Sequence, residues 1–167
     1  MKQLWAPWRM EYIRTASKEC RSGRKRCLFC TLAASKKDEN DLILYRGELG
    51  FVVMNRYPYN NGHLMAAPYR HVGDLEKLLP TEAQELFELV QASMRVLRTD
   101  MKPHGYNVGM NLGRVAGAGV KDHLHVHVVP RWRGDVNYMP VIAETRVVSE
   151  HLGETWQRLK NRFEGRG

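Results

Sequence analysis

Residues 123–129 read His-Leu-His-Val-His-Val-Val and run straight into Pro130 and Arg131. No other feature constrains this chain's fold and chemistry as strongly. In a β-strand, successive side chains point to opposite faces. His123, His125 and His127 therefore converge on one face, while Leu124, Val126 and Val128 give the other face apolar groups to bury. Only 7 histidines occur in 167 residues, and chance placement at that frequency would produce about 0.01 such triplets. A metal cradle, or a strand merely rich in histidine, are the readings to set against a catalytic one.

The 167 residues suffice for one domain with a real core. A hydrophobic fraction of 43% and a charged fraction of 26% are those of an ordinary soluble globular protein. No run approaches the ~18 apolar residues that span a bilayer. The opening MKQLWAPWRMEYIR places charges and a proline where a signal peptide needs a continuous apolar stretch, so a cytoplasmic protein is expected. Cys27 and Cys30 form a Cys-x-x-Cys pair, which in a reducing compartment reads as metal-binding or redox-active. The thioredoxin-type setting of a redox pair, a βαβ unit, is missing.

A net charge of +8 calls for a polyanionic partner, which a phosphate-rich small molecule satisfies as well as nucleic acid does. Much of that charge lies in runs such as residues 21–26 (RSGRKR) and reads as solvated surface. A sheet that stacks bases would interleave aromatic with basic residues. Only Trp132, between Arg131 and Arg133, hints at that, so nucleic acid is not the expected partner.

Along the chain, residues 35–41 (SKKDEND) read as a loop, and the cysteine pair before them as a short helical or turn segment. Residues 42–46, 51–55, 63–68, 106–112 and 123–129 read as five strands. The segment 56–62 (RYPYNNG) has strong turn chemistry, and residues 113–122 form a glycine-rich loop. Residues 81–101 are the clearest helix: Thr81 and Gln84 fit a capping box, and Leu86, Leu89, Val90, Met94 and Leu97 recur at helical spacing before Pro103. A C-terminal helix is expected over 149–163, with Leu152, Trp156, Leu159 and Phe163 on one stripe. Strands outnumber helices without sustained alternation, which predicts an α+β fold on an antiparallel sheet.

The HLHVHVV strand, the upstream Asn55 and the glycine-rich loop together resemble the histidine-triad (HIT) superfamily of nucleotidyl hydrolases and transferases. The flanks, WAPWRMEY at 5–12, PRWRGD at 130–135 and NYMPV at 137–141, resemble its bacterial diadenosine tetraphosphate phosphorylase and dinucleoside polyphosphate hydrolase branch. The resemblance implies a five-stranded HIT fold with one long helix. It also implies a single domain over 1–167, divided into an N-terminal extension at 1–26, a core at 27–131 and a C-terminal extension at 132–167. The implied catalytic set is His123, His125, His127 and Asn111. His125 attacks the α-phosphorus and becomes nucleotidylated, a backbone carbonyl aims its ring, and His127 and Asn111 bind phosphate oxygens.

By the same resemblance Asn55 binds ribose hydroxyls, and Gly117, Ala118 and Gly119 bring backbone N–H groups to phosphate. Leu28, Phe29, Phe51 and Val53 either neighbour the base or belong to the core. The loop lacks the Gln, Ser or Thr that many members carry there, so leaving-group protonation falls to Lys121, Arg131 or water. Adenosine specificity follows from the branch alone.

Zinc-binding members add a histidine after the third strand and the first histidine of the triad to a cysteine pair. Here that gives Cys27, Cys30, His71 and His123, a closed structural zinc site. Cys20, His104 and His151 are expected at the surface, and His63 is expected to be structural. The resemblance also implies a homodimer of joined sheets. The expected substrate is a dinucleoside polyphosphate. With water as acceptor, diadenosine tetraphosphate would give AMP and ATP; with inorganic phosphate, ADP and ATP. The alternatives are hydrolysis of a nucleoside phosphoramidate or adenylate, and a non-catalytic nucleotide-binding adaptor.

Overall fold

The computed structural model describes residues 27–135 and 151–165, which lie in one compact unit spanning 27–135 and 148–167. The N-terminal motif at 5–12, the NYMPV segment and Cys20 fall outside the described residues. The element order is α1 (Leu28–Ala34), α2 (Asp38–Asp41), β1 (Ile43–Arg46), β2 (Gly50–Met54), β3 (Leu64–Pro68), a 3-10 turn (Leu75–Lys77), α3 (Pro80–Met101), β4 (Gly105–Gly109), β5 (Val126–Arg131) and α4 (Leu152–Glu164). The strands form one five-stranded sheet in the order β1-β2-β3-β5-β4. Every neighbouring pair is antiparallel. This is the α+β architecture expected from the sequence.

Register assigns the two faces of the sheet. Val52 pairs with Ala66 and Met54 with Leu64, and these pair in turn with Val126 and Val128. Their face is the one packed under α3, because a Cβ on Gly50 would sit 3.0 Å from Leu89 Cδ1. On the opposite face Phe51 pairs with Ala67 and Val53 with Met65, and Met65 pairs with His127. All of β2 and β3 is buried, so these central strands are covered on both sides.

α4 buries most of the expected stripe: Trp156, Leu159 and Phe163 are 6%, 0% and 3% exposed, each contributing about 1.5–3 kcal/mol of transfer free energy, while Leu152 at its start is half-buried. Trp156 Nε1 also donates to the carbonyl of Ile43, 3.1 Å away, which ties the helix to β1.

Several local expectations are corrected. Residues 35–41 are not wholly loop, since α2 occupies 38–41. The long helix begins with Pro80 at its first turn, so Leu79 rather than Thr81 is the N-cap. The reach-back bond comes from Glu82, whose carboxylate accepts the Leu79 N–H at 2.9 Å. β4 ends at Gly109, which leaves Asn111 beyond the strand.

Regular β5 begins at Val126, so only His127 of the triad lies inside it. The reason is local: β4 pairing stops at Gly109 opposite His127, and the β3 pairing stops at Ala66 opposite Val126. The backbone ahead of Val126 is held instead by Leu124 N–H donating to Val72 O at 2.7 Å.

Candidate active site

The triad histidines nevertheless gather on one side. His125 and His127 meet edge to face with ring centroids 4.9 Å apart. Phe29, from α1, lies against both His125 at 4.7 Å and His123 at 5.2 Å. Phe29 and Phe51 are 1% and 0% exposed and lie against one another with ring centroids 6.4 Å apart, so Phe29 rests on the core beneath the histidines.

His125 is buried and its Nδ1 lies 2.9 Å from the main-chain carbonyl of His123. A carbonyl only accepts, so Nδ1 carries the proton and Nε2 keeps its lone pair. Burial pushes the His125 pKa down, against the upward pull of that carbonyl. The ring is therefore neutral near pH 7, and a neutral Nε2 is a nucleophile.

His127 joins a different chain of bonds. Its Nδ1 lies 2.9 Å from His63 Nε2. The Tyr59 N–H donates to His63 Nδ1 at 3.0 Å, and Asn55 Nδ2 approaches the same atom at 3.3 Å. Two donors on Nδ1 place the proton of neutral His63 on Nε2. That N–H then donates to His127 Nδ1, which leaves the His127 proton on Nε2. His63 is thus in direct contact with the triad, where sequence reasoning gave it only a structural role. Its signal was the Gly-His step at the head of a strand; the pairing that sets it beside His127 spans 64 positions.

Asn55 Oδ1 accepts the Tyr57 N–H at 2.9 Å, an Asx turn that starts the 56–62 loop. Gly62 closes that loop with φ +73, and a Cβ there would lie 2.6 Å from Met101 Sδ. Asn111 is half-buried just past β4, beside the 113–122 loop. In that loop Gly113 and Gly117 take left-handed φ values of 81 and 90. The N–H groups of Gly117 and Ala118 donate to Arg114 O and Gly113 O, at 3.0 and 3.3 Å. Both are therefore engaged in the loop's own turn, contrary to the expectation that they face phosphate. Gly119 is exposed beside them.

The Lys121 ammonium pairs with Asp122 at 2.9 Å, and Arg131 pairs with Asp135 at 2.6 Å. Each cation thus has an acid partner close by in sequence. His104 and His151 are exposed, as expected, and each accepts a nearby main-chain N–H, from Arg133 and from Gly153.

The second cluster adjoins the first through His123. Cys27 precedes α1 and Cys30 sits one turn into it, so both thiols lie on the same side. His123 Nδ1 is 3.3 Å from Cys27 Sγ and 3.6 Å from Cys30 Sγ. His71 Nδ1 is 3.3 Å from Cys30 Sγ. The four ligand atoms lie within 4.8 Å of one another. Metal–sulfur bonds of about 2.3 Å and metal–nitrogen bonds of about 2.1 Å, arranged tetrahedrally, require S···N separations of roughly 3.6 Å, so the donor set fits zinc. His123 Nε2 donates to Pro68 O at 2.9 Å, which turns the Nδ1 lone pair into the cluster. Burial, followed by the neighbouring Cys27 thiol, holds the Cys30 thiol above its usual pKa. A bound cation reverses that preference.

The sequence pattern of the HIT domain family matches residues 36–134. An AP-4-A phosphorylase from Mycobacterium tuberculosis is 42% identical over 161 residues, covering 95% of this chain and 83% of that protein. A bis(5'-nucleosyl)-tetraphosphatase (asymmetrical) from Schizosaccharomyces pombe is 33% identical over 101 residues, 60% of this chain and 55% of that protein. Among solved structures, a Zn-bound histidine triad family protein from Mycobacterium smegmatis superposes with a TM-score of 0.66 at 24% identity, covering 83% of this chain and 94% of that one. That likeness bears on the fold, and the AP-4-A phosphorylase match spans nearly the whole sequence. The chain belongs to the HIT domain family.

Proposed function

We propose that this HIT-type enzyme cleaves a dinucleoside polyphosphate such as diadenosine tetraphosphate through a nucleotidyl-His125 intermediate, with inorganic phosphate as acceptor. The observation that carries the reading is the His125 Nδ1 bond to the His123 carbonyl, which leaves a neutral Nε2 lone pair on a buried, oriented ring. Nε2 forms a bond to the α-phosphorus as the bond to the bridging oxygen of the departing polyphosphate breaks. An acceptor oxygen then displaces the imidazole, which leaves with its lone pair. His127, with its proton on Nε2, donates to a non-bridging oxygen during both steps.

In this reading Asn55 and Asn111 serve as ribose and phosphate contacts, and exposed Gly119 is the residue of 117–119 assigned to phosphate. With Lys121 and Arg131 paired to their neighbours, solvent water is the favoured proton source for the leaving group. The name of the 42% identical relative, a phosphorylase, supports phosphate as acceptor.

Cys27, Cys30, His71 and His123 hold one zinc ion in this reading. Four protein ligands leave no open position, so the metal's part is structural: it fixes the His123 main chain that aims His125. Among the described residues no helix is long and apolar enough to cross a membrane. A cytoplasmic homodimer completes the reading, with the sheets joined along β4, an edge strand whose Val108 is 47% exposed.

Acid-quenched single turnovers with α-labelled diadenosine tetraphosphate test the intermediate. Wild type should carry an acid-labile label. His125→Asn should carry none and lose turnover, while nucleotide affinity stays within about tenfold, or 1.4 kcal/mol. A His125→Asn rate above a few per cent of wild type would sink the mechanism.

A further inference from the structure

Asp135 lies one residue past the stretch that the family pattern matches, yet its carboxylate is the hub of the bonds around the end of β5. Oδ2 accepts Arg131 Nε at 2.6 Å, the Trp132 N–H at 3.1 Å and Asn60 Nδ2 at 2.8 Å. Oδ1 accepts Arg131 Nη2 at 2.9 Å. Arg131 Nη1 continues to Asn107 Oδ1 on β4, 2.8 Å away. The Asp135 side chain is 9% exposed. The Arg131 guanidinium, foremost among its partners, holds its pKa down to about 2, so the hub stays charged wherever the enzyme works.

Asn60 is the member that leads to the active site. Besides Asp135, its Nδ2 donates to Pro130 O at 3.1 Å, so the loop of 56–62 is tied to a strand end 70 residues away. Asn60 O accepts the His63 N–H at 3.1 Å. The preceding Tyr59 offers its N–H to His63 Nδ1 and lays its ring 4.7 Å from His63 and 5.8 Å from His127. The direction of the Tyr59 N–H, the shorter of the two donor contacts that set the His63 tautomer, therefore depends on where Asn60 is held.

We propose that Asp135, acting through Asn60, is a positioning residue that fixes the tautomers of His63 and His127 by anchoring the 56–62 loop. The proposal rests on the reading of His127 as a phosphate-oxygen donor. If the loop loosens, Nδ1 of His63 loses the Tyr59 donor and keeps only the longer Asn55 contact, so the ring can carry its proton there in part of the molecules. His63 Nε2 then becomes an acceptor facing His127 Nδ1, which must take the proton. His127 Nε2 would then turn a lone pair toward the phosphate oxygen it should stabilise. Two acceptors facing one another cost transition-state stabilisation and leave ground-state binding nearly intact.

The test uses Asp135→Ala, Asn60→Ala and the double variant in the full-length protein, with Asp135→Glu for rescue. Each single variant should lower kcat about tenfold or more and move KM less than about threefold. The double should lose little beyond the worse single, because both break one linkage. Ring-nitrogen NMR of the ligand-free protein should show His63 and His127 as Nε2–H tautomers in wild type and mixed tautomers in the variants. Should Asp135→Ala fail to fold, Asn60→Ala tests the same linkage with the Arg131–Asp135 pair intact.

A lowered melting temperature with unchanged kcat and unchanged tautomers would overturn the proposal, reducing the hub to a structural clamp. The NMR reading needs no substrate. If wild type forms no adduct while the tautomers still depend on Asn60, the reading of function fails and the positioning stands.

Discussion

The main-chain carbonyl of His123 receives the Nδ1–H of His125 across 2.9 Å, while the imidazole of the same His123 sits 3.3 Å from Cys27 Sγ. One residue thus borders the Cys27–Cys30–His71 cluster with its side chain and orients the His125 ring with its backbone. A cation in that cluster would hold α1, the His71 turn and the approach to β5 in a single arrangement.

Protein purified without added zinc should accordingly contain one zinc per chain by elemental analysis. Cys27→Ser should cost about 2 kcal/mol, or roughly 4–8 °C in Tm for a chain of this size. It should weaken turnover less than it weakens stability, since the metal touches no substrate. Metal-free protein with an unchanged Tm, or a native Cys27–Cys30 disulfide, would refute the site.

His63 is 1% exposed and hands its Nε2–H to His127. His63→Ala should lower kcat by about 10²-fold, the scale of a lost proton-positioning group, with KM changed less than about threefold. Steady-state kinetics at saturating substrate measure this. A near-normal kcat in a folded His63→Ala protein would return His63 to the structural role its sequence position suggested.

Glu82 accepts Arg70 Nε and Nη2 at 2.7 and 2.5 Å, together with the Leu79 N–H that starts α3. Arg70, the main cause, lowers its pKa from 4.5 to about 2. Between those values unfolded chains bind a proton at Glu82 that folded chains do not, so stability falls as pH drops through that window. Below pH 2 the contribution is gone. Acid unfolding should show the stability gap between wild type and Glu82→Gln shrinking from pH 6 to pH 2. Asp135 titrates in the same window, so the variant should retain part of the slope. A gap that stays constant with pH would show that Glu82 contributes nothing through its charge.

Periodicity located what is local. The strands expected at 51–55 and 63–68 fall within one residue of β2 and β3, and the helix expected at 81–101 is α3 with Pro80 added. It could not supply pairing. The register that sets Met65 opposite His127 joins residues whose sequence neighbourhoods say nothing of each other, and the place of His63 depends on it. Charge was legible but its local pairing was not: Lys121 and Arg131, named as candidates to protonate the leaving group, pair with acids one and four residues on. Such short-range pairing is readable from spacing once a turn is known, and the turns at 121–122 and 131–135 were not.

The acceptor is the last question the chemistry leaves, and product analysis answers it. Phosphate would give ADP and ATP from diadenosine tetraphosphate, and water would give AMP and ATP. The 113–122 loop carries no bulky side chain at residues 116–119, which leaves room beside the phosphate chain. Its Gly117 and Ala118 N–H groups bond within the loop, so they are not the groups that would discriminate phosphate from water. Millimolar phosphate should raise the turnover rate and replace AMP with ADP among the products. If the rate with phosphate equals the rate without it, and AMP appears in both, the enzyme is a hydrolase.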